Sequence, residues 1–160
     1  MSVKKKDRHL AKNDSLNHTR KLVNQVLILT RPYQKFPDGT CIKPGILGNP
    51  QHFQMFGANI VKYSKLIHTN VYLGLRVKLK SKESLLQRKE YFTNALNYCD
   101  IVLQDLDLCI YNYALNNKKK KKSFEYVASL VYTVKKSLKD RINRDKLLYE
   151  RYKILWKIYG

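Results

Sequence analysis

All four prolines of this 160-residue chain lie between Pro32 and Pro50, so the 110 residues that follow carry none. A proline inside a helix removes a donor and clashes with the preceding turn, so long proline-free stretches are open to long helices. Apolar residues recur through this stretch every three or four positions. Phe53, Phe56, Ile60, Tyr63, Ile67 and Val71 form one stripe. Leu85, Phe92, Ala95, Cys99, Val102, Leu106, Cys109 and Tyr113 form a second, with a period close to that of a bundle seam. Val127, Leu130, Val131, Val134 and Leu138 form a third, and Leu16, Leu22, Val23, Val26, Leu27 and Leu29 a fourth, upstream of the prolines. No alternating segment is long enough to compete as a strand. The economical fold is all-α, an antiparallel up-down four-helix bundle with a basic N-terminal arm and an amphipathic C-terminal extension.

Boundary signals divide the chain. Residues 1–12 are highly charged and read as a flexible arm. Asn13 and Asp14 can cap a helix that begins near Ser15 and ends before Pro32. The stretch Tyr33–Pro50 reads as a long connection, functional or disordered. Asn49-Pro50 starts a second helix, in which Gly57 either weakens the helix or permits close packing. A third helix is expected from Ser81 or Ser84 to about Leu115, and Ser123 is expected to cap a fourth. The bundle then spans residues 13–146. Residues 147–160 form an amphipathic segment, either a continuation or a separate helix that seeks a partner.

Thirty-two Lys and Arg against twelve Asp and Glu give a net charge of +20. Such an excess points to a polyanionic partner, and nucleic acid leads. The candidate phosphate-binding residues are Lys4, Lys5, Lys6, Arg8 and Lys12 on the arm, and Arg76, Lys78 and Lys80 at the turn between helices two and three. Lys118, Lys119, Lys120, Lys121 and Lys122 are expected at the next turn, and Arg141, Arg144 and Lys146 near the end of the bundle. Lysines hold phosphates rather than read bases. The tyrosines add stacking surfaces for unpaired bases, with no one of them singled out. Other readings compete: an anionic membrane surface, a basic but unspecialised surface, and a protein partner reached through Tyr152, Leu155 and Trp156 of the tail.

No catalytic constellation stands out. His9, His18, His52 and His68 are scattered and lack helical metal-ligand spacing. There is no glycine loop of the phosphate-cradling type. Asp100 and Asp107 lie on one helix face, read as solvated or salt-bridging. A non-enzyme without metal or cofactor is expected. Cys99 and Cys109 sit among apolar residues, as buried thiols in a reducing compartment do. No apolar h-region follows the N-terminal lysines and no apolar run is long enough to span a membrane, so the expected location is cytoplasmic.

Arg88 to Leu96 reads RKEYFTNAL, early in the third helix of a small, basic, all-helical chain. With Phe36-Pro37, a second helix reaching Asn70 and SLKDRINRDK late in the fourth, the layout of roughly residues 7–146 resembles a known family. These are the accessory variability determinant proteins, four-helix bundles found beside reverse transcriptases in diversity-generating retroelements. A related bundle family is encoded within ribosomal RNA intervening sequences, so a ribosome- or ribosomal-RNA-associated bundle protein is the alternative that the resemblance implies. The resemblance implies a ring-like homopentamer with a positive surface. It would bind a reverse transcriptase and its template RNA and help start cDNA synthesis, without activity of its own. It also implies a surface or interface role for Arg88, which joins the tail residues as a candidate for partner binding, and a core role for Ala95. The chain departs from the pattern in its long Pro32–Pro50 connection, in having no tryptophan near Leu138, and in its C-terminal extension.

Overall fold

The proline-free sequence forms helix with few interruptions. A computed structural model describes the backbone of residues 14–159 and the side chains of residues 14–154. Lys4, Lys5, Lys6, Arg8 and Lys12, and the side chains of Leu155 and Trp156, lie outside the described residues. The helices are α1 (Asp14–Leu29), α2 (Pro50–His52), α3 (Ala58–Arg76), α4 (Lys82–Tyr113) and α5 (Lys118–Tyr159). A single π-helical turn, Phe53–Gly57, joins α2 to α3 without a break.

Local chemistry sets most boundaries. Asn49 caps α2 by accepting from Gln51 N at 2.9 Å, with Pro50 in the first helical position. Ser81 and Ser84 form a reciprocal capping box at the start of α4. The start of α5 corrects the expectation of a cap at Ser123. Asn117 is the acceptor, taking Lys120 N at 3.1 Å, and Ser123 sits inside the helix with its Oγ donating to Lys119 O. Asn is as good a cap as Ser, and lysine is a good helix former, so the whole lysine run is helical. From there α5 continues for 42 residues, across position 146 and into the tail.

The connection from Thr30 to Asn49 is ordered and contains the one departure from helix among the described elements. Strands β1 (Gln34–Lys35) and β2 (Cys41–Ile42) pair antiparallel, Gln34 opposite Ile42. Gly39, with φ 89°, makes the turn that a side chain would strain. Asp38 braces it by accepting from Thr40 N and Oγ1. Two residues per strand are too short to leave alternation in the sequence. The chain then returns to α1: Gly45 N donates to Arg31 O and Leu47 N to Leu29 O. Leu47 is fully buried and plugs this end of the bundle.

Helix α1 packs on α3 and α5, and α4 packs on the same two. Met55 meets Tyr113, Tyr63 meets Tyr98, and Gly74 lies against the Phe92 ring, so positions fall along α4 as they rise along α3. Between α4 and α5 the pairs Asp100–Lys135 and Arg88–Asp145 run in the same crossed sense, and Ser15 meets Ser137 between α1 and α5. The four apolar stripes meet in one core that includes Leu22, Val26, Ile60, Ile67, Phe92, Val102, Leu106, Phe124 and Leu138. Full burial of each such side chain stabilises by roughly 1.5–3 kcal/mol. Cys99 and Cys109 are buried free thiols, pushed up by burial to about 12. No helix among the described residues is long and apolar enough to cross a membrane.

Candidate nucleic-acid interface

The lysine run forms the first turn and a half of α5, and all five side chains are exposed. A helix N-terminus already presents unpaired N–H groups and about half a positive charge. No acidic residue occupies that first turn. The nearest carboxylate partner is Glu125, whose Oε1 lies 3.9 Å from Lys121 Nζ across half-exposed side chains. Such a pair offsets little of the charge. The run therefore sits where backbone and side chains add to one positive field.

The hairpin connection shares this end. Gly45 and Ile46 form a hollow of about 180 Å³ with Ile28, Ser123 and Tyr126. Lys35 and Lys43 are exposed on that connection. Tyr111 at the end of α4 is 69% exposed, and Tyr33 and Tyr126 are also exposed. These exposed rings were not singled out in the sequence. For Tyr111 and Tyr126 the one signal was closeness in sequence to the run, and Tyr33 carried none, since tyrosine spacing alone does not separate core from surface.

The other end gathers a second basic group. Arg76 Nη1 donates to Tyr72 Oη at 2.7 Å and its guanidinium lies 5.5 Å from that ring, which orders the side chain while leaving it exposed. Lys78 and Lys80 are exposed on the connection to α4. Arg144 and Lys146 are exposed on α5, whereas Arg141 is half-buried. Burial holds the Arg141 guanidinium below its ordinary range, with the nearby Asp145 opposing that shift. Arg141 and Arg144 line a hollow of about 240 Å³ with His18, Lys136, Asp14 and Asp140, so carboxylates dilute the charge there.

Arg88 is placed differently from the expectation. It is buried against Asp145 of α5, with Nε 2.8 Å from Oδ2 and Nη2 2.9 Å from Oδ1. Nη1 donates to Val77 O at 2.9 Å. The guanidinium has its partners inside the fold and anchors α5 to the start of α4, so it is not a surface contact. Asp100 salt-bridges Lys135 at 2.6 Å, and Tyr152 is exposed on the tail.

His52 stacks on Tyr113, and His68 Nδ1 is 2.8 Å from Thr19 Oγ1. Among the described residues no group of three His, Cys, Asp or Glu is placed to hold a metal ion. Comparison of the chain with protein-family models, with curated proteins and with solved structures finds no match.

Proposed function

We propose that this chain is a non-catalytic, RNA-binding accessory protein. It partners a reverse transcriptase and its template RNA in cDNA synthesis, in the manner of diversity-generating retroelements. The scaffold is an up-down antiparallel bundle that works as a homo-oligomer in the cytoplasm, with the basic arm and the C-terminal segment as added contacts. The observation that carries the RNA reading is the exposed five-lysine first turn of α5, with exposed tyrosines beside it. Phosphates would supply the counter-charge and the rings would stack on unpaired bases. The reverse transcriptase and the pentamer come from the family resemblance, and co-purification with a reverse transcriptase encoded beside this chain tests them.

Changing Lys118–Lys122 to Ser tests the RNA reading. Binding of a single-stranded RNA weakens across sequences. The slope of log affinity against log salt flattens by about 0.7 for each phosphate that is no longer neutralised. An unchanged slope would reduce the run to a solvated helix end.

A second reading makes the chain an adaptor for another protein. Its support is the tail, where Leu147, Tyr152 and Ile154 are exposed at 65%, 47% and 58%. Deleting residues 147–160 separates the two: the adaptor loses its partner while RNA affinity stays. Flotation with anionic vesicles tests the membrane-surface alternative, which fails when the protein stays behind.

A further inference from the structure

Where α5 outruns the bundle, it and the start of α4 leave a groove of about 340 Å³. Leu85 and Leu86 of α4 and Ile142 and Tyr149 of α5 make its floor, and Leu86 is 54% exposed. Lys82 and Lys89 stand on one rim and Lys146 and Lys153 on the other, all four exposed. Each lysine pair is separated by seven residues, two helical turns or about 10 Å. Counted outward from the Asp100–Lys135 pair, Lys89 stands level with Lys146 and Lys82 level with Lys153, and the Arg88–Asp145 pair sets the same register to within two residues, about 3 Å. The groove thus has an apolar centre between two tiers of positive charge.

Its acidic content is small. Asp145 commits both oxygens to Arg88, which leaves Glu150 as the carboxylate facing four ammonium groups. We infer that this groove docks an acidic amphipathic helix of a partner protein. Apolar side chains of the incoming helix fill the centre, and carboxylates seven residues apart reach the two lysine tiers. The floor is mainly aliphatic and suits leucine-like side chains, whereas nucleic-acid bases want flat aromatic platforms. A neighbouring hollow of about 300 Å³, lined by Leu79, Lys80, Tyr149 and Tyr152, shares Tyr149 and lengthens the surface along the tail. The site lies at the opposite end of the bundle from the lysine run and stands or falls separately from RNA binding there, while Lys146, and Lys80 of the neighbouring hollow, are shared with the second basic group.

The probe is a fluorescein-labelled helical peptide with Glu-x-x-Leu-Leu-x-x-Glu on one face, compared with a scrambled peptide of identical composition. Anisotropy with the full chain is expected to show binding of the first and much weaker binding of the second. Lys89→Glu with Lys146→Glu, or Lys82→Glu with Lys153→Glu at the outer tier, should each weaken binding about tenfold. These side chains are exposed, so the fold tolerates the changes, and circular dichroism checks it. Leu86→Ser should also weaken binding, and the Lys118–Lys122→Ser variant should bind the peptide as the parent does. Equal affinity for the scrambled peptide would overturn the inference, as would charge-reversed variants that bind unchanged. So would no peptide binding together with loss of single-stranded RNA binding in those variants, which would assign the groove to RNA.

Discussion

Replacing Arg88 by Met strands a buried carboxylate. The Arg88 and Asp145 side chains are only 10% and 6% exposed, and both carboxylate oxygens take guanidinium hydrogen bonds shorter than 3 Å. The substitution keeps an apolar stem beside Phe92, whose ring centroid lies 5.5 Å from the guanidinium carbon. It removes two charge-assisted bonds to Asp145 and the donor that satisfies Val77 O. Breaking one side of a buried pair costs about 3–5 kcal/mol, because the remaining ion has lost both water and its partner. Set against about 5–15 kcal/mol for a whole domain, that is a large part of the total. The double variant Arg88→Met with Asp145→Leu no longer buries an unpaired carboxylate and should recover much of the loss, less what half-buried Arg141 gives up with the nearby Asp145 charge. Urea unfolding followed by helical circular dichroism, at unchanged m-value, gives the three free energies. A coupling of about 2 kcal/mol or more is expected from the cycle. Single variants that each cost under about 1 kcal/mol and simply add would refute the anchoring role.

Other consequences follow from particular side chains. Ser64 Oγ is buried without a hydrogen-bond partner, so Ser64→Ala should raise stability by about 1 kcal/mol, and a fall in the urea midpoint would mean the hydroxyl is satisfied after all. Burial first, and then the charge of Arg20, hold His68 below its ordinary 6.5. Above that value both folded and unfolded chains hold the ring neutral; as pH falls below 6.5 the unfolded chain binds the proton first, so stability declines towards the lower folded pKa. His68→Gln should remove that part of the decline as pH falls through 6.5, and identical pH profiles for parent and variant would sink the assignment. Changing Lys118–Lys122 to Ser should raise the thermal midpoint at low salt, with the gain shrinking as salt is added; a gain that persists in high salt would not be electrostatic.

The helices were legible because their signals are local. Apolar period, the Asn49-Pro50 start and the Ser81–Ser84 cap all act within two turns, and the structure uses each of them. Asp100 was legible as a salt-bridging face, and Lys135 is its partner. The start of α5 was harder to place, because lysine repulsion argues for a turn where lysine helix propensity and the Asn117 cap argue for helix, and the helix wins. Arg88 could not be placed from its neighbours, because Asp145 lies 57 positions away and only packing of α5 on α4 brings it there. The same holds for the groove. Lys82 and Lys89 look like ordinary solvated lysines until α5 places Lys146 and Lys153 across from them.

The position of the lysine run bears on why it exists. Cations near a helix N-terminus oppose the macrodipole, and neighbouring ammonium groups oppose one another, so the start of α5 is an unfavourable place for five lysines. Glutamate or aspartate there would serve folding better. The run is therefore not a folding device, and in the proposed reading a phosphate backbone supplies its counter-charge. The same helix carries Lys146 of the groove, 24 residues beyond Lys122 and roughly 36 Å along the axis. That separation is several Debye lengths at physiological salt, about 8 Å each, so neither cluster strongly feels the other's charge. One continuous helix holds two positive sites far enough apart that a polyanion at one end and an acidic helix at the other need not compete.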